Sequence, residues 1–446
     1  MGLAARRRKA LAFLLLAWAL AWWPAGAAGL EGGPAGALPV VHVDNGPNSA
    51  AARKAHYVVL VSLDGFRWDY AKRDHAEHLL ALGREGVWAP EGMLPSYPSL
   101  TFPNHYAIAT GLYPEHNGLV ANRFMDPETG KRYAISDPKA VTDGTWYHGV
   151  PLWSLAEGQG MRSACFFWPG SEAKIAGYLP TYFLHYNDKI DDKARIDQVI
   201  AWLKLPAAER PHFITLYFSE PDHEGHEFGP DAPETRAAVR KVDGLVGRLK
   251  AKLDATGLPV DLVVVSDHGM AKTADGWITL DKFADLKGFE TDGALLYAKD
   301  EADRVRVYDE LKKASSQFMV YRRARVPAAL NYNENAREGD PVIVATGPYA
   351  IRAHGPKAGK ADYAPEAGMH GFNPRTMPEM KASFFAEGPD IVQGGTVLPF
   401  ENVNLYPWIA HMLGLTPAKN DGSLNILAGT LRDGGKAADE KAQAQE

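Results

Sequence analysis

Seven side chains of complementary type recur at punctuated points along this chain: Asp64, Thr101, Asp222, His226, Asp267, His268 and His370. Together the carboxylates and imidazoles supply two sets of oxygen and nitrogen ligands, and Thr101 adds a hydroxyl able to act as a nucleophile. Two cations about 4 Å apart clamp the attacking and leaving oxygens of an in-line displacement, and one of them lowers the pKa of a coordinated hydroxyl. Phosphoryl transfer is the chemistry such a set would perform. Mixed Asp and His ligation favours zinc over magnesium, which prefers oxygen and water.

Each member alone has a plainer explanation. Asp222 and His226 lie four apart, so a helical turn aims both at one cation, but a surface Asp and His pair reads the same way. Asp267 and His268 directly follow an apolar run, where the alternative is an Asp capping a turn with His exposed. His370 stands between Met369 and Gly371 and by itself reads as a loop residue. Phe102 and Tyr186 could form an aromatic slot, or be a core aromatic and an exposed loop aromatic respectively. His105, His116, His223 and His354 receive no role.

The elements that must position this set follow from hydrophobic pattern. Pro95 to Gly111 reads as a loop entering a helix that stops at Gly111, with Thr101 expected at the N-cap near unpaired N–H groups. Tyr57–Leu63, Phe213–Phe218 and Leu262–Val265 are short apolar runs ending in acids, the pattern of strands buried on both faces. In open α/β sheets, ligands bind at the carboxyl ends of such strands. Helical patterns at Ala76–Glu85, Ile196–Leu203 and Pro233–Thr256 alternate with them, which predicts an α/β fold with a mainly parallel central sheet and helices on both faces. Residues 280–345 read as a small inserted α+β lobe with a helix over Asp309–Phe318. Ala382–Ala386 resumes the main fold and Val403–Leu413 closes it.

The 446-residue chain begins with Arg6, Arg7, Arg8 and Lys9, an apolar core over Leu11–Trp23 and the small residues Ala25-Gly26-Ala27. This is the pattern of a cleaved signal peptide, residues 1–28, ahead of a Gly/Ala/Pro-rich linker over 29–55. Structure is expected to start at Tyr57, with a catalytic domain over 56–415 and a C-terminal segment and solvated tail over 416–446. Removing four positive charges and no acid takes the formal net charge from −6 to −10, which argues against a basic nucleic-acid-binding surface. One cysteine, Cys165, excludes an internal disulfide and suits a bacterial periplasm; its apolar surroundings predict a buried strand residue.

The motifs V-S-L-D-G-F-R, P-S-L-T-F-P-N-H-Y, T-G-L-Y-P-E-H-N-G, W-P-G-S, E-P-D-x-x-G-H, S-D-H-G-M and M-H-G-F, in this order, resemble the nucleotide pyrophosphatase/phosphodiesterase family of the alkaline phosphatase superfamily, here as a bacterial exported member. The resemblance runs from Tyr57 to Leu415 and implies an alkaline-phosphatase-like fold. It also implies two zinc ions, one on Asp222, His226 and His370 and the other on Asp64, Asp267, His268 and Thr101. Asn122 is implied as a donor to a phosphoryl oxygen, although its surroundings read as a turn. The implied reaction releases nucleoside 5′-monophosphates through a phosphothreonine intermediate, with a nucleobase between Phe102 and Tyr186. The alternative is a lysophospholipid or choline-phosphate-ester phosphodiesterase on the same two-zinc site. No protein partner and no stable membrane insertion after signal cleavage are implied.

A monoesterase would require an arginine beside these motifs, and a sulfatase a Cys or Ser in C/S-x-P-x-R; neither is found. An exported binding protein that has lost catalysis is opposed by the complete ligand set.

Overall fold

The computed structural model describes residues 38–314, 316–357 and 360–435. Contacts separate Met1–Pro39 from Val40–Glu446, and the elements described here belong to the second unit. The signal segment and residues 436–446 of the tail lie outside the described residues.

A nine-stranded sheet runs through the molecule. Its strands are β1 (Val41–His42), β2 (Tyr57–Leu63), β3 (Val87–Trp88), β4 (Ser163–Phe166), β5 (Tyr182–Phe183), β6 (Phe213–Phe218), β7 (Val260–Val265), β8 (Phe384–Glu387) and β9 (Gly395–Thr396). Their spatial order is β1-β5-β4-β6-β2-β7-β8-β3-β9. The consecutive strands β5, β4, β6, β2 and β7 are parallel, while β1 and β8 run against their neighbours. All seven residues of β2 are buried, as a continuous apolar run between two parallel neighbours requires.

The helices that matter below are α1 (Glu77–Glu85), α2 (Thr101–Thr110), α3 (Asp192–Leu203), α4 (Asp222–Phe228), α5 (Pro233–Asp254), α6 (Glu301–Lys312) and α7 (Leu405–Met412). Val58 and Leu60 of β2 join a core with Tyr106 and Ile108 of α2 and Trp408 and Ile409 of α7. The intervening Val59 and Val61 point to the other face of the sheet and are equally buried. There α1 and α3 pack on α5, whose apolar stripe of Val239, Val242, Leu245, Val246 and Leu249 is buried as its helical spacing predicts. Burying each such side chain contributes roughly 1.5–3 kcal/mol, so this stripe anchors the layer.

A second core gathers Leu280, Leu296, Val307, Leu311, Phe318 and Val320. Around it lie the hairpin of Phe289–Asp292 with Leu295–Ala298, helix α6, and the antiparallel pair Phe318–Tyr321 with Val342–Ala345.

Three expectations require correction. The helix of this region is Glu301–Lys312, not Asp309–Phe318, because the Asp300 carboxylate caps it by accepting the Asp303 N–H at 2.8 Å and Phe318 already starts a strand. Structure does not wait for Tyr57: β1 adds an edge to the sheet, and the Asn48 side chain donates to the carbonyls of Ala207 and Arg210. Thr101 is the first helical residue and Leu100 the N-cap, one position from the expectation, because Leu100 is the last extended residue (ψ 154°).

Candidate active site

Strands β6, β2 and β7 are neighbours in the sheet and parallel, so the residues that follow them emerge side by side. Asp64 follows β2, Asp222 opens α4 just after β6, and Asp267 and His268 follow β7. Gly65 makes the close approach possible: it sits at φ +65°, and a Cβ there would lie 2.8 Å from the Asp222 carboxylate. Helix α2 brings Thr101 in from another direction, and the Gly368–Met369 strand delivers His370.

The structure draws all seven residues into one cluster. His268 Nε2 is 3.0 Å from Asp267, 3.5 Å from Asp64 and 3.3 Å from the Thr101 hydroxyl. His226 Nε2 is 3.4 Å from Asp222 and 3.2 Å from His370 Nε2, which in turn is 3.8 Å from Asp222. The rings of His268 and His370 stack at 3.5 Å between centroids, so His268 stands between the two ligand groups. Both Asp64, Asp267 and His268 on one side and Asp222, His268 and His370 on the other have ligand atoms close enough to share a cation.

The hydrogen bonds of the three histidines orient them identically. His226, His268 and His370 each present Nδ1 to a backbone carbonyl, those of Gly368, Gly269 and Ser99, at 2.8–2.9 Å. A proton is thereby held on Nδ1, and each Nε2 is turned toward the site. Carboxylate oxygens are left over in the same way: Asp64 Oδ1, Asp222 Oδ1 and Asp267 Oδ2 are buried and make no hydrogen bond. Such groups are costly without a cation among them.

Electrostatics agrees. Burial, with the neighbouring Asp267 and Asp222 carboxylates adding to it, pushes Asp64 well above its ordinary value. Burial acts in the same sense on Asp267, but His268 and His105 outweigh it and hold that carboxyl well below. Burial, reinforced by His268, drives His370 down to about 3, whereas at His226 the Asp222 and Glu366 carboxylates overcome burial and raise the imidazole to about 10. Protons on some histidines thus do part of the work that divalent cations would do for every carboxylate at once. The residues present fit zinc.

Beside Thr101 opens a cavity of about 190 Å³ lined by Phe102, Phe167, Trp168, Glu172, Tyr186 and Tyr217, among others. Phe102 and Tyr186 both line it, Tyr186 being 53% exposed and tilted at 60° to the Phe167 ring with centroids 5.0 Å apart. Asn122 Oδ1 accepts the Phe102 N–H at 3.0 Å, which caps one of the N–H groups at the start of α2 and leaves the amide NH₂ as the donor end.

Three positioning residues escaped the sequence reading. The Tyr217 hydroxyl donates to Asp64 Oδ2 at 2.5 Å; its signal was a polar ring near the end of an otherwise apolar strand. His105 lies one helical turn after Thr101, a spacing that puts both on one side of α2, and it reaches Asp267. Glu366 accepts from His226 Nδ1 at 2.8 Å, and nothing in its local sequence pointed to that.

Residues 58–373 match the family model for type I phosphodiesterase / nucleotide pyrophosphatase. The chain belongs to that family. An uncharacterized pyrophosphatase/phosphodiesterase of Schizosaccharomyces pombe is 34% identical over 383 residues, covering 82% of this chain and 78% of the yeast protein. Human ectonucleotide pyrophosphatase/phosphodiesterase family member 1 is 33% identical over 406 residues, 87% of this chain but 43% of the human protein. The chain therefore spans less than half of that larger relative. Murine ectonucleotide pyrophosphatase/phosphodiesterase 5, solved as an inactive threonine-to-alanine variant in complex with AMP, superposes with a TM-score of 0.78 at 30% identity, covering 84% of this chain and all of that one. The fold of this phosphodiesterase family enzyme is alkaline-phosphatase-like, with Asp64, Asp267 and His268 at the carboxyl ends of the central parallel strands. Among the described residues no helix is long and apolar enough to cross a membrane.

Proposed function

We propose that this family member is a two-zinc nucleotide pyrophosphatase/phosphodiesterase that releases nucleoside 5′-monophosphates through a phosphothreonine intermediate. The observation that carries the reading is the position of Thr101, whose hydroxyl is 3.3 Å from His268 while the same residue borders the aromatic cavity. A phosphorus atom at that hydroxyl has ligand carboxylates and imidazoles on one side and room for a planar base on the other.

Asp222, His226 and His370 would hold one zinc, and Asp64, Asp267 and His268 with Thr101 the other. Bound there, the two ions supply Lewis acidity, lowering the pKa of the hydroxyl nucleophile and offsetting charge on the phosphoryl oxygens. Thr101 Oγ attacks phosphorus in line, releasing its proton to solvent, and the bond to the leaving group breaks on the opposite side. The Asn122 amide donates to a phosphoryl oxygen, and the first turn of α2 adds its positive dipole end. Phe102 and Tyr186 hold the base by stacking, worth about 1–3 kcal/mol per base. Water then attacks the phosphothreonine, the bond from phosphorus to Thr101 Oγ breaks, and the threonine recovers its proton.

The AMP bound by the murine relative supports a nucleotide substrate, and the inactivity of its threonine-to-alanine variant supports a threonine nucleophile. The basic, apolar and small-residue pattern of residues 1–28 supports export, in a bacterium to the periplasm. Product analysis with ATP tests the function. AMP with pyrophosphate establishes cleavage at the α-phosphorus; ADP with phosphate, or no turnover of nucleotides, overturns the reading, and the second result puts the lipid-headgroup ester in its place.

A further inference from the structure

At the opposite end of the central sheet, His56, Asp261 and Asp390 converge from three separate segments. His56 immediately precedes β2, Asp261 is the second residue of β7, and Asp390 lies in the turn after β8. A ring nitrogen of His56 and one oxygen of each carboxylate lie within 4.8 Å of one another. His56 Nδ1 is 2.9 Å from Asp390 Oδ1, with both side chains about one third exposed, so the outer side of the group is open to solvent.

Asp261 forms the floor. It is completely buried, and the chain is folded tightly over it: a Cβ on Gly388 would lie 2.3 Å from Asp261 Oδ1, which accepts the Asp390 N–H at 2.9 Å. The other oxygen, Oδ2, is buried and makes no hydrogen bond. Nothing in the catalytic reading uses this carboxyl, and the acidic groups nearest to it, Asp390 and Glu387, make its charge harder to bear. A buried carboxyl with one oxygen unpaired, within reach of a second carboxylate and an imidazole, is an environment that a divalent cation relieves.

We propose that His56, Asp261 and Asp390 form a third metal site, separate from the catalytic pair, that binds zinc and ties the start of β2 and β7 to the turn after β8. One imidazole nitrogen and two carboxylate oxygens form a ligand set suited to zinc, with solvent completing the coordination on the open side. The net charge of two carboxylates and a neutral imidazole is balanced by one divalent ion. The site is structural: it lies at the sheet end away from Thr101 and holds together the entries of the two strands whose exits carry Asp64 and Asp267.

The test is zinc content per chain by plasma mass spectrometry of the full protein, loaded with zinc and passed through a desalting column. Asp261→Asn and His56→Gln are each expected to hold one zinc fewer than the unaltered protein while keeping its turnover number. Their unfolding temperature is expected to rise less on zinc addition. Equal zinc content in the unaltered protein and His56→Gln, the variant of a partly exposed side chain, overturns the proposal. The difference between proteins is the readout, so an error in the catalytic zinc count would appear in all of them alike and leave this test intact.

Discussion

His105 Nδ1 lies 3.3 Å from Asp267 Oδ2, with neither side chain exposed to solvent. The same nitrogen is 2.8 Å from the Thr101 carbonyl, and Nε2 is 2.8 Å from the Ser62 hydroxyl. Since the two groups facing Nδ1 only accept, the proton belongs on Nδ1 and Ser62 donates to Nε2. His105 therefore connects the nucleophile's helix, the central strand β2 and a ligand carboxylate. Replacing such an outer partner costs about 10–100-fold in metal affinity or activity. His105→Gln is expected to weaken zinc binding within that range, measured by titration against a competing chelator, with secondary structure unchanged by circular dichroism. Unaltered zinc affinity would remove His105 from the site.

Thr101→Ala is expected to abolish turnover and leave catalytic zinc content unchanged, because six other ligands remain. Thr101→Ser keeps a hydroxyl at the same point and is expected to retain measurable activity. Appreciable release of product by the alanine variant would sink the assignment of Thr101 as nucleophile.

Phe102→Ala and Tyr186→Ala each remove one face of the proposed base slot. Loss of about 1–3 kcal/mol of stacking corresponds to roughly 5–150-fold. The loss is expected in kcat/KM for nucleotide substrates and to be much smaller for a phosphodiester without a base. Equal losses on both substrates would mean that the rings serve packing alone.

Removing metal with a chelator is expected to lower the unfolding temperature as well as to stop turnover, because Asp64, Asp222 and Asp267 lose the cations that hold them together. A ligand at about 100 times its Kd stabilises by about 2.7 kcal/mol, so the change is well within the reach of thermal denaturation. An apo protein that melts at the same temperature would contradict the fit of the site to metal.

Glu338 predicts a pH dependence of stability away from the site. Its side chain is fully buried with neither oxygen hydrogen-bonded, and burial, with Glu115 nearby, raises its carboxyl to about 9. The folded form therefore holds a proton that the unfolded chain releases near pH 4.5, and this contribution to stability is lost as pH rises toward 9. The slope is at most about 1.4 kcal/mol per pH unit. Unfolding temperatures from pH 6 to 9 are expected to fall less steeply for Glu338→Gln than for the unaltered chain. Parallel curves would show that Glu338 does not titrate in this range.

The parallel core was legible because its signals are local. Continuous apolar runs bounded by acids mark Tyr57–Leu63 and Phe213–Phe218 without reference to any other part of the chain, and the helical stripe of Pro233–Asp254 is equally self-contained. The convergence of Asp64, Asp267 and His268 was legible for a related reason: a polar group at the tip of a buried strand has few structural uses. Cys165 followed from the same logic and is fully buried in β4.

What tertiary structure alone decided depends on contacts between distant segments. The start of α2 moved by one residue because the extended chain entering it, not threonine's capping preference, sets where the helix begins. Val41–His42 became a strand only because Tyr182–Phe183 offers it an edge, which no local composition announces. The tautomers of His226, His268 and His370, the reach of His105 to Asp267 and the meeting of His56, Asp261 and Asp390 are all set by partners far away in the sequence. Residue type determines what a side chain is able to bind, while the geometry that turns separate donors into a site arises from packing of the sheet and its helices.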